Sequence, residues 1–400
     1  MAYFDPEQLF EAMVDAAPDV SDLNLSVGAA PQVEVDGKLR SVPFAGLERL
    51  LPYHTELIAL RLLNDNVELA DRLIETGSVD LSYSLRQRAR FRVNVFSQRG
   101  TYSIVLRVIA NQVPRFEDLG LPPNLREISE ERNGIVLVTG PTGSGKSTTL
   151  AAIIDKMNEE REIHIITIED PIEYLHSHKK AIINQREVGG DTKSFALALR
   201  AALRQAPKVI LVGEMRDVET ISTALEAAET GHLVLSTLHT IDAAKTVDRI
   251  VGVFPKNEER QIRTRFAQSF RWIVSQKLVP KKGGGRSALC EILRANPRTR
   301  EYIQEGERDG RSLLDAMNDG ALDGMQTFDG ELLRFINEGV IDAESALTYA
   351  TNPTNLRLQL GFEGNGEDTN ASPVKKQAPA VTPEPIEPVM DADLENLIER

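Results

Sequence analysis

The sequence has a single cysteine, Cys290, in 400 residues. That excludes an internal disulfide framework and any cysteine-rich zinc site, and it suits a reducing compartment. No stretch approaches the ~18 consecutive apolar residues that a bilayer-spanning helix needs. Contact with a membrane is therefore expected to run through a partner or a surface. The opening MAYFDPEQLF lacks a basic region followed by an apolar core, so no secretory signal is expected. Positive charge is also not in excess. The formal net charge is −14, which argues against free nucleic acid as a partner.

What is present is enough apolar material, 41% of residues, to build two or more packed domains. Residues 1–112 read as an α+β domain. QLFEAMVDA has helical spacing, PQVEVDGKLRSV reads as a hairpin turning at Asp36-Gly37, and LRQRARFRVNVFSQRGTYSIVLRVI reads as two long strands around Gly100. The proline-rich NQVPRFEDLGLPPNL is the lead-in to a second domain, residues 113–361. There GIVLVTG, IHIITIED, VILVGE and HLVLSTLH are apolar strands that alternate with helices such as SFALALRAALRQ. The alternation implies a parallel sheet in an α/β core. After about residue 290 the chain reads as mainly helical. Residues 362–400 hold nine acidic and three basic residues and no aromatic after Phe362, the composition of a disordered tail. Within it Met390, Leu394, Leu397 and Ile398 make one apolar stripe, either a frayed end or a docking helix.

GPTGSGKST, residues Gly140, Pro141, Thr142, Gly143, Ser144, Gly145, Lys146, Ser147 and Thr148, matches G-x-x-x-x-G-K-[ST] between a strand and a helix. Glycines let backbone N–H groups turn inward around phosphates, and the following helix adds positive potential at its N-terminus. Lys146 is expected to reach the β- and γ-phosphates and the Ser147 hydroxyl to ligate magnesium. Glu214 closes VILVGE at the carboxyl end of its strand, where a carboxylate faces bound ligands in open α/β sheets. TIEDPIEY adds Glu169, Asp170 and Glu173; acids this crowded repel one another unless a cation is near. Magnesium held by Ser147 is expected to draw on them, Glu169 foremost, through water.

His232 and His239 lie seven apart across a strand and its exit. Each is either a satisfied structural residue or, with Thr237, a contact for the γ-phosphate. His176 and His178 fall in a polar loop and read as surface. Arg86, Arg88, Arg90 and Arg92 alternate with apolar residues and so share one strand face. They form either a solvated face or part of a nucleotide site. Arg107, in VLRVI, has apolar neighbours.

These motifs, in this order, resemble the type IV pilus retraction ATPases, the twitching-motility motors of the secretion ATPase superfamily. The resemblance rests on SDLNLSVGAAPQVEVDGKL, RFRVNVF, GPTGSGKST, TIEDPIEYLH, QREVGGDTKSFALALRAALRQAPKVILVGEMRD, TGHLVLSTLHTIDAAKTVDRIV and GMQTFD. It implies a RecA-like P-loop ATPase core preceded by a smaller, PAS-like α+β domain, with ATP and Mg2+ as cofactors. It implies that Glu214 is the catalytic base, that Glu169 and Glu173 organise metal and water, and that His232 and His239 form the family's His box. Arg90, Arg92 and Arg107 match the arginines that reach ATP from the N-terminal domain. Family members assemble as homohexamers and act in the cytoplasm, against an inner-membrane pilus platform protein and alongside a paralogous retraction ATPase. A principal retraction motor is the expected role. An accessory retraction ATPase and a nucleotide-binding regulator are the alternatives. The family's AIRNLIRE-like motif is altered here to RTREYIQE. Pilus extension and type II secretion ATPases carry a four-cysteine zinc element that a chain with one cysteine cannot build.

Overall fold

The computed structural model describes residues 4–361 apart from Gln87, Ala110, Asn111, Gln112 and Asp309. The apolar stripe at Met390–Ile398 and the tail it belongs to lie outside the described residues.

The first sheet is antiparallel. Its strands are β1 (Asp22–Leu25), β2 (Gln32–Val35), β3 (Lys38–Ser41), β4 (Ser78–Leu85), β5 (Ala89–Gln98) and β6 (Thr101–Ile109), in spatial order β3-β2-β1-β6-β5-β4. The β2–β3 hairpin turns where the sequence places it. Asp36 and Gly37 both take positive φ, 55° and 72°, as a tight hairpin turn of this kind requires. One face of the sheet is apolar. Phe91, Val93 and Val95 pack with Leu23, Ile104 and Leu106 beneath helices α1 (Pro6–Val14) and α2 (Pro52–Leu63). The alternate residues Arg90, Arg92 and Asn94 point to the other face, as the two-residue period demands. Helix α3 (Val67–Thr76) leads into β4.

The four-arginine face expected from the sequence is not one strand. Leu85 ends β4, Arg86 takes a φ of 45° in the turn, and β5 begins at Ala89. Only Arg90 and Arg92 share a strand face. Arg86 pairs with Glu7 at 3.2 Å and Arg88 with Asp15 at 2.9 Å, so these two serve the turn. The alternation in LRQRARFRV runs through a reversal of the chain, which periodicity alone does not reveal.

The second sheet has seven strands in the order β13-β12-β7-β11-β10-β8-β9. They are β7 (Gly134–Thr139), β8 (His164–Glu169), β9 (Ile182–Glu187), β10 (Val209–Val212), β11 (Leu233–Leu238), β12 (Phe270–Pro280) and β13 (Arg286–Arg294). All neighbours pair in parallel except the β12–β13 hairpin. Every residue of β7, β10 and β11 is buried, as expected of a sheet covered on both sides. On one face Leu150, Ile153 and Met157 of helix α4 (Lys146–Glu160) pack on Val136, Val138 and Leu235. On the other lie α5 (Phe195–Ala202), α6 (Val218–Glu229), α7 (Ala243–Gly252) and α8 (Glu259–Ser269), through Ala198, Ala224, Val247 and Phe266. Each Leu, Ile, Val, Met or Phe side chain among these contributes ~1.5–3 kcal/mol when buried. Helix α9 (Pro297–Glu305) and short helices at Leu313–Asp319, Phe328–Asn337 and Ala343–Tyr349 follow. The reading of a helical region after residue 290 thus holds only beyond Arg294. Before it the chain forms the long β12–β13 hairpin instead. Both sheets lie in one compact unit that runs to Leu356.

Candidate active site

The parallel strands β7, β8, β10 and β11 end on one edge of the sheet, and the chain leaving each of them meets around a cavity of about 500 Å³. This edge is where open α/β sheets bind ligands. Four separate sequence motifs therefore become neighbours through topology.

After β7 comes the glycine-rich loop, and α4 starts at Lys146. Thr142, Gly143, Gly145, Lys146, Ser147 and Thr148 line the cavity. Gly140, Pro141 and Ser144 form the rest of the turn. Lys146 Nζ donates to the carbonyls of Gly140 and Pro141, both at 2.9 Å, and so ties the loop to the helix it begins. Burial lowers the Lys146 pKa, and the nearby Glu173 and Glu214 carboxylates oppose that shift. A side chain at Gly140, whose φ is 143°, would place its Cβ 2.2 Å from the Gln276 carbonyl oxygen on β12. Gln276 also donates to the Ser144 carbonyl at 2.8 Å and accepts from the Thr149 hydroxyl at 2.8 Å. The loop is thus clamped from behind by a residue the sequence reading did not single out. The available signal was a polar Gln276-Lys277 pair interrupting the apolar run FRWIVSQKLVP.

β8 ends at Glu169, and Asp170 and Glu173 follow it, all three lining the cavity. The Asp170-Pro171 peptide is cis. Glu169 accepts from the Thr167 hydroxyl at 2.6 Å and the Gln185 amide at 3.2 Å. Burial raises its pKa, and these hydrogen bonds oppose the shift. Both of these partners are neutral groups. Tyr174 also lines the cavity and shares a hydrogen bond of 3.0 Å with Thr148.

After β10, Gly213 answers a packing need. A Cβ there would lie 3.2 Å from the Ile168 carbonyl oxygen and 3.4 Å from Glu169 Cα. Glycine lets β10 close against β8, which sets Glu214 beside the acidic loop. Glu214 forms an ion pair with Arg216, whose Nε lies 2.6 Å from Oε2, and His239, after β11, puts Nε2 at 3.7 Å from the same oxygen. Burial, helped by Lys146 and opposed by Glu214, holds the His239 imidazole below its ordinary pKa. Thr237 lines the cavity as well and donates to the Gly213 carbonyl at 2.6 Å, joining β11 to β10 at the site.

The remaining candidates do not line this cavity. His232 sits at the opposite end of β11, with its Nδ1 3.0 Å from the Ala227 carbonyl oxygen. Arg107 Nε donates to Asp22 at 2.9 Å. Arg92 faces Arg107 across the β5–β6 pair and is exposed. Arg90 is held by Glu187 at 3.2 Å. His176, expected at the surface, lines the cavity instead. The chain after Pro171 folds back along α4, burial pushes the imidazole down to about 4, and its Nδ1 has no hydrogen-bond partner among the described residues. His178 is exposed as expected.

A pocket with a phosphate-type cradle on one wall and a carboxylate–imidazole pair on another suits attack by water on a bound phosphoryl group. The family model described as Type II/IV secretion system protein matches residues 32–314. The type IV pilus retraction ATPase PilT of Pseudomonas aeruginosa is 45% identical over 344 residues, which span 85% of this chain and 97% of that one. The type IV pilus ATPase PilU of the same organism is 39% identical over 364 residues, 90% of this chain and 93% of that one. The crystal structure of the pilus retraction motor PilT with bound ADP superposes with a TM-score of 0.78 at 43% identity, covering 89% of this chain and 100% of that chain.

Proposed function

Because the chain belongs to the Type II/IV secretion system protein family, we propose that its cavity binds and hydrolyses ATP and that the energy released retracts a type IV pilus. The observation that carries this reading is the convergence of Lys146, Glu214 and His239 on one cavity.

The backbone N–H groups of the glycine-rich loop and the N-terminus of α4 receive the phosphates. Lys146 brings a positive charge to the β- and γ-phosphates. Ser147 and, through water, Glu169 would hold Mg2+, which neutralises charge on the phosphates when bound. Their hydroxyl and carboxylate oxygens suit that hard cation. Glu173 helps to order water at the same wall. Glu214 orients the attacking water and accepts its proton, while His239 reports on the γ-phosphate from the neighbouring strand.

The three arginines and His232 lie off the cavity, so their role depends on movement or on another copy of the chain. In this reading the six-stranded sheet closes over bound ATP and brings Arg92, Arg107 and Arg90 towards the phosphates, within a ring of six copies. Loss of the γ-phosphate removes the contacts that keep it closed, and the opening works against an inner-membrane platform protein. A paralogous retraction ATPase is a further partner.

Glu214→Gln tests the chemistry. It keeps size and polarity, so ATP affinity should be retained, while turnover should fall roughly 10²–10⁴-fold, the usual cost of losing a positioned base. Near-normal phosphate release by this variant would contradict the assignment.

A further inference from the structure

Among the described residues, the hydrogen bonds that join strands of the six-stranded sheet to strands of the seven-stranded one both end on Glu187. Glu187 is the last residue of β9 and the parallel partner of Glu169. Its Oε1 accepts from the Ser82 hydroxyl on β4. Its Oε2 accepts from Arg90 Nη2 on β5 at 3.2 Å and from the backbone N–H of Ile172, also at 3.2 Å. Ile172 lies between Pro171 and Glu173, in the loop that forms the acidic wall of the cavity.

The energetics make this carboxylate a coupling point. Its side chain is 8% exposed, so its charge needs a partner, and Arg90 supplies one. Ile172 is 2% exposed, so its N–H has no access to solvent, and Glu187 supplies its acceptor. The Glu187 backbone is fixed on the core side: its N–H donates to Asp191 Oδ2 at 2.8 Å. Moving β4 and β5 away removes both donors from the six-stranded sheet and uncovers the carboxylate to water. The carboxylate is then released to turn, and that turn alters its bond to the Ile172 N–H.

We infer that Glu187 is a positioning residue through which the seating of the six-stranded sheet sets the placement of the loop bearing Asp170 and Glu173. This rests on the proposed hydrolysis at that cavity only for its kinetic consequence. The structural link stands without it.

The test is hydrogen exchange at the Ile172 amide in the nucleotide-free chain, with Ser82→Ala, Arg90→Met and Glu187→Gln variants. Removing the donors on the six-stranded sheet should speed exchange at Ile172 roughly tenfold, although neither altered residue touches it. Combining Ser82→Ala or Arg90→Met with Glu187→Gln should add little, because the effects share one path. In turnover, Glu187→Gln should lower kcat roughly tenfold with KM for ATP held within about twofold, since the phosphate cradle is untouched. Ser82→Ala is the mild variant should the charge changes impair folding. Unchanged Ile172 exchange in Ser82→Ala and Arg90→Met would overturn the inference. Absence of turnover in the unaltered chain would instead count against the ATPase reading and leave the exchange result to decide this one.

Discussion

Gln276 braces the glycine-rich loop through both ends of one amide, with Ser144 on one side and Thr149 on the other. Each hydrogen bond contributes ~0.5–1.5 kcal/mol net. Gln276→Ala should therefore lower stability by about 1–3 kcal/mol in denaturant melts. It should also weaken ATP binding, because the loop would no longer be preorganised. Unchanged affinity would show that the loop keeps its shape unaided. The loop was legible in the sequence because a phosphate cradle demands glycines at fixed spacing. Its brace was not, because Gln276 reaches the loop from a strand far along the chain, and spacing carries no information about that contact. Glu214 was legible from its place at a strand end. The reason for Gly213 is not legible in the sequence, because it lies in the 3.2 Å approach of a Cβ at that position to the Ile168 carbonyl oxygen. His176 misled because a polar loop sequence usually lies at the surface, and only the fold shows it turned inward.

The elements most open to sequence reasoning were the buried central strands, whose continuous apolar runs have few other solutions. The edge strand β9 and the β12–β13 hairpin were harder. β9 reads IINQRE because an edge beside another sheet needs polar groups, and β12 gives up part of its apolar run to brace the loop. β13 also contributes Glu291, which accepts the Ala243 N–H at 2.9 Å and so holds the N-terminus of α7, the helix that follows His239. Burial pushes the Glu291 carboxyl up to about 7, with Asp242 and Asp329 acting in the same direction and Lys277 against it. The folded chain therefore binds this proton more tightly than the unfolded one. The associated stability is fully present below the ordinary glutamate pKa of about 4.3, and it is lost as pH rises through about 7. The loss is on the order of 3 kcal/mol. Glu291→Gln keeps an acceptor for Ala243 and removes the titration. Its melting temperature should lack the decline that the parent shows between about pH 5 and 7. Parallel profiles for the two proteins would rule out Glu291 as the source.

At the scale of the whole molecule, two sheets share one chain, and the Ser82–Glu187 and Arg90–Glu187 contacts join them beside the cavity. The sequence indicated an α+β part followed by an α/β part. The resemblance to retraction ATPases supplied the idea that arginines of the first part reach ATP at the second, which requires the one to close on the other. No residue pattern encodes such a motion, because it lies in the difference between two states. The most direct measurement is the distance between spin labels at Leu39→Cys on β3 and Asp248→Cys on α7, both exposed positions. The native Cys290 is fully buried, and burial pushes its thiol pKa up, so it should not compete for label. The distance should differ between the ATP-analogue state and the ADP state, with the nucleotide-free chain resembling the latter. One unchanged distance distribution in all three conditions would contradict the account.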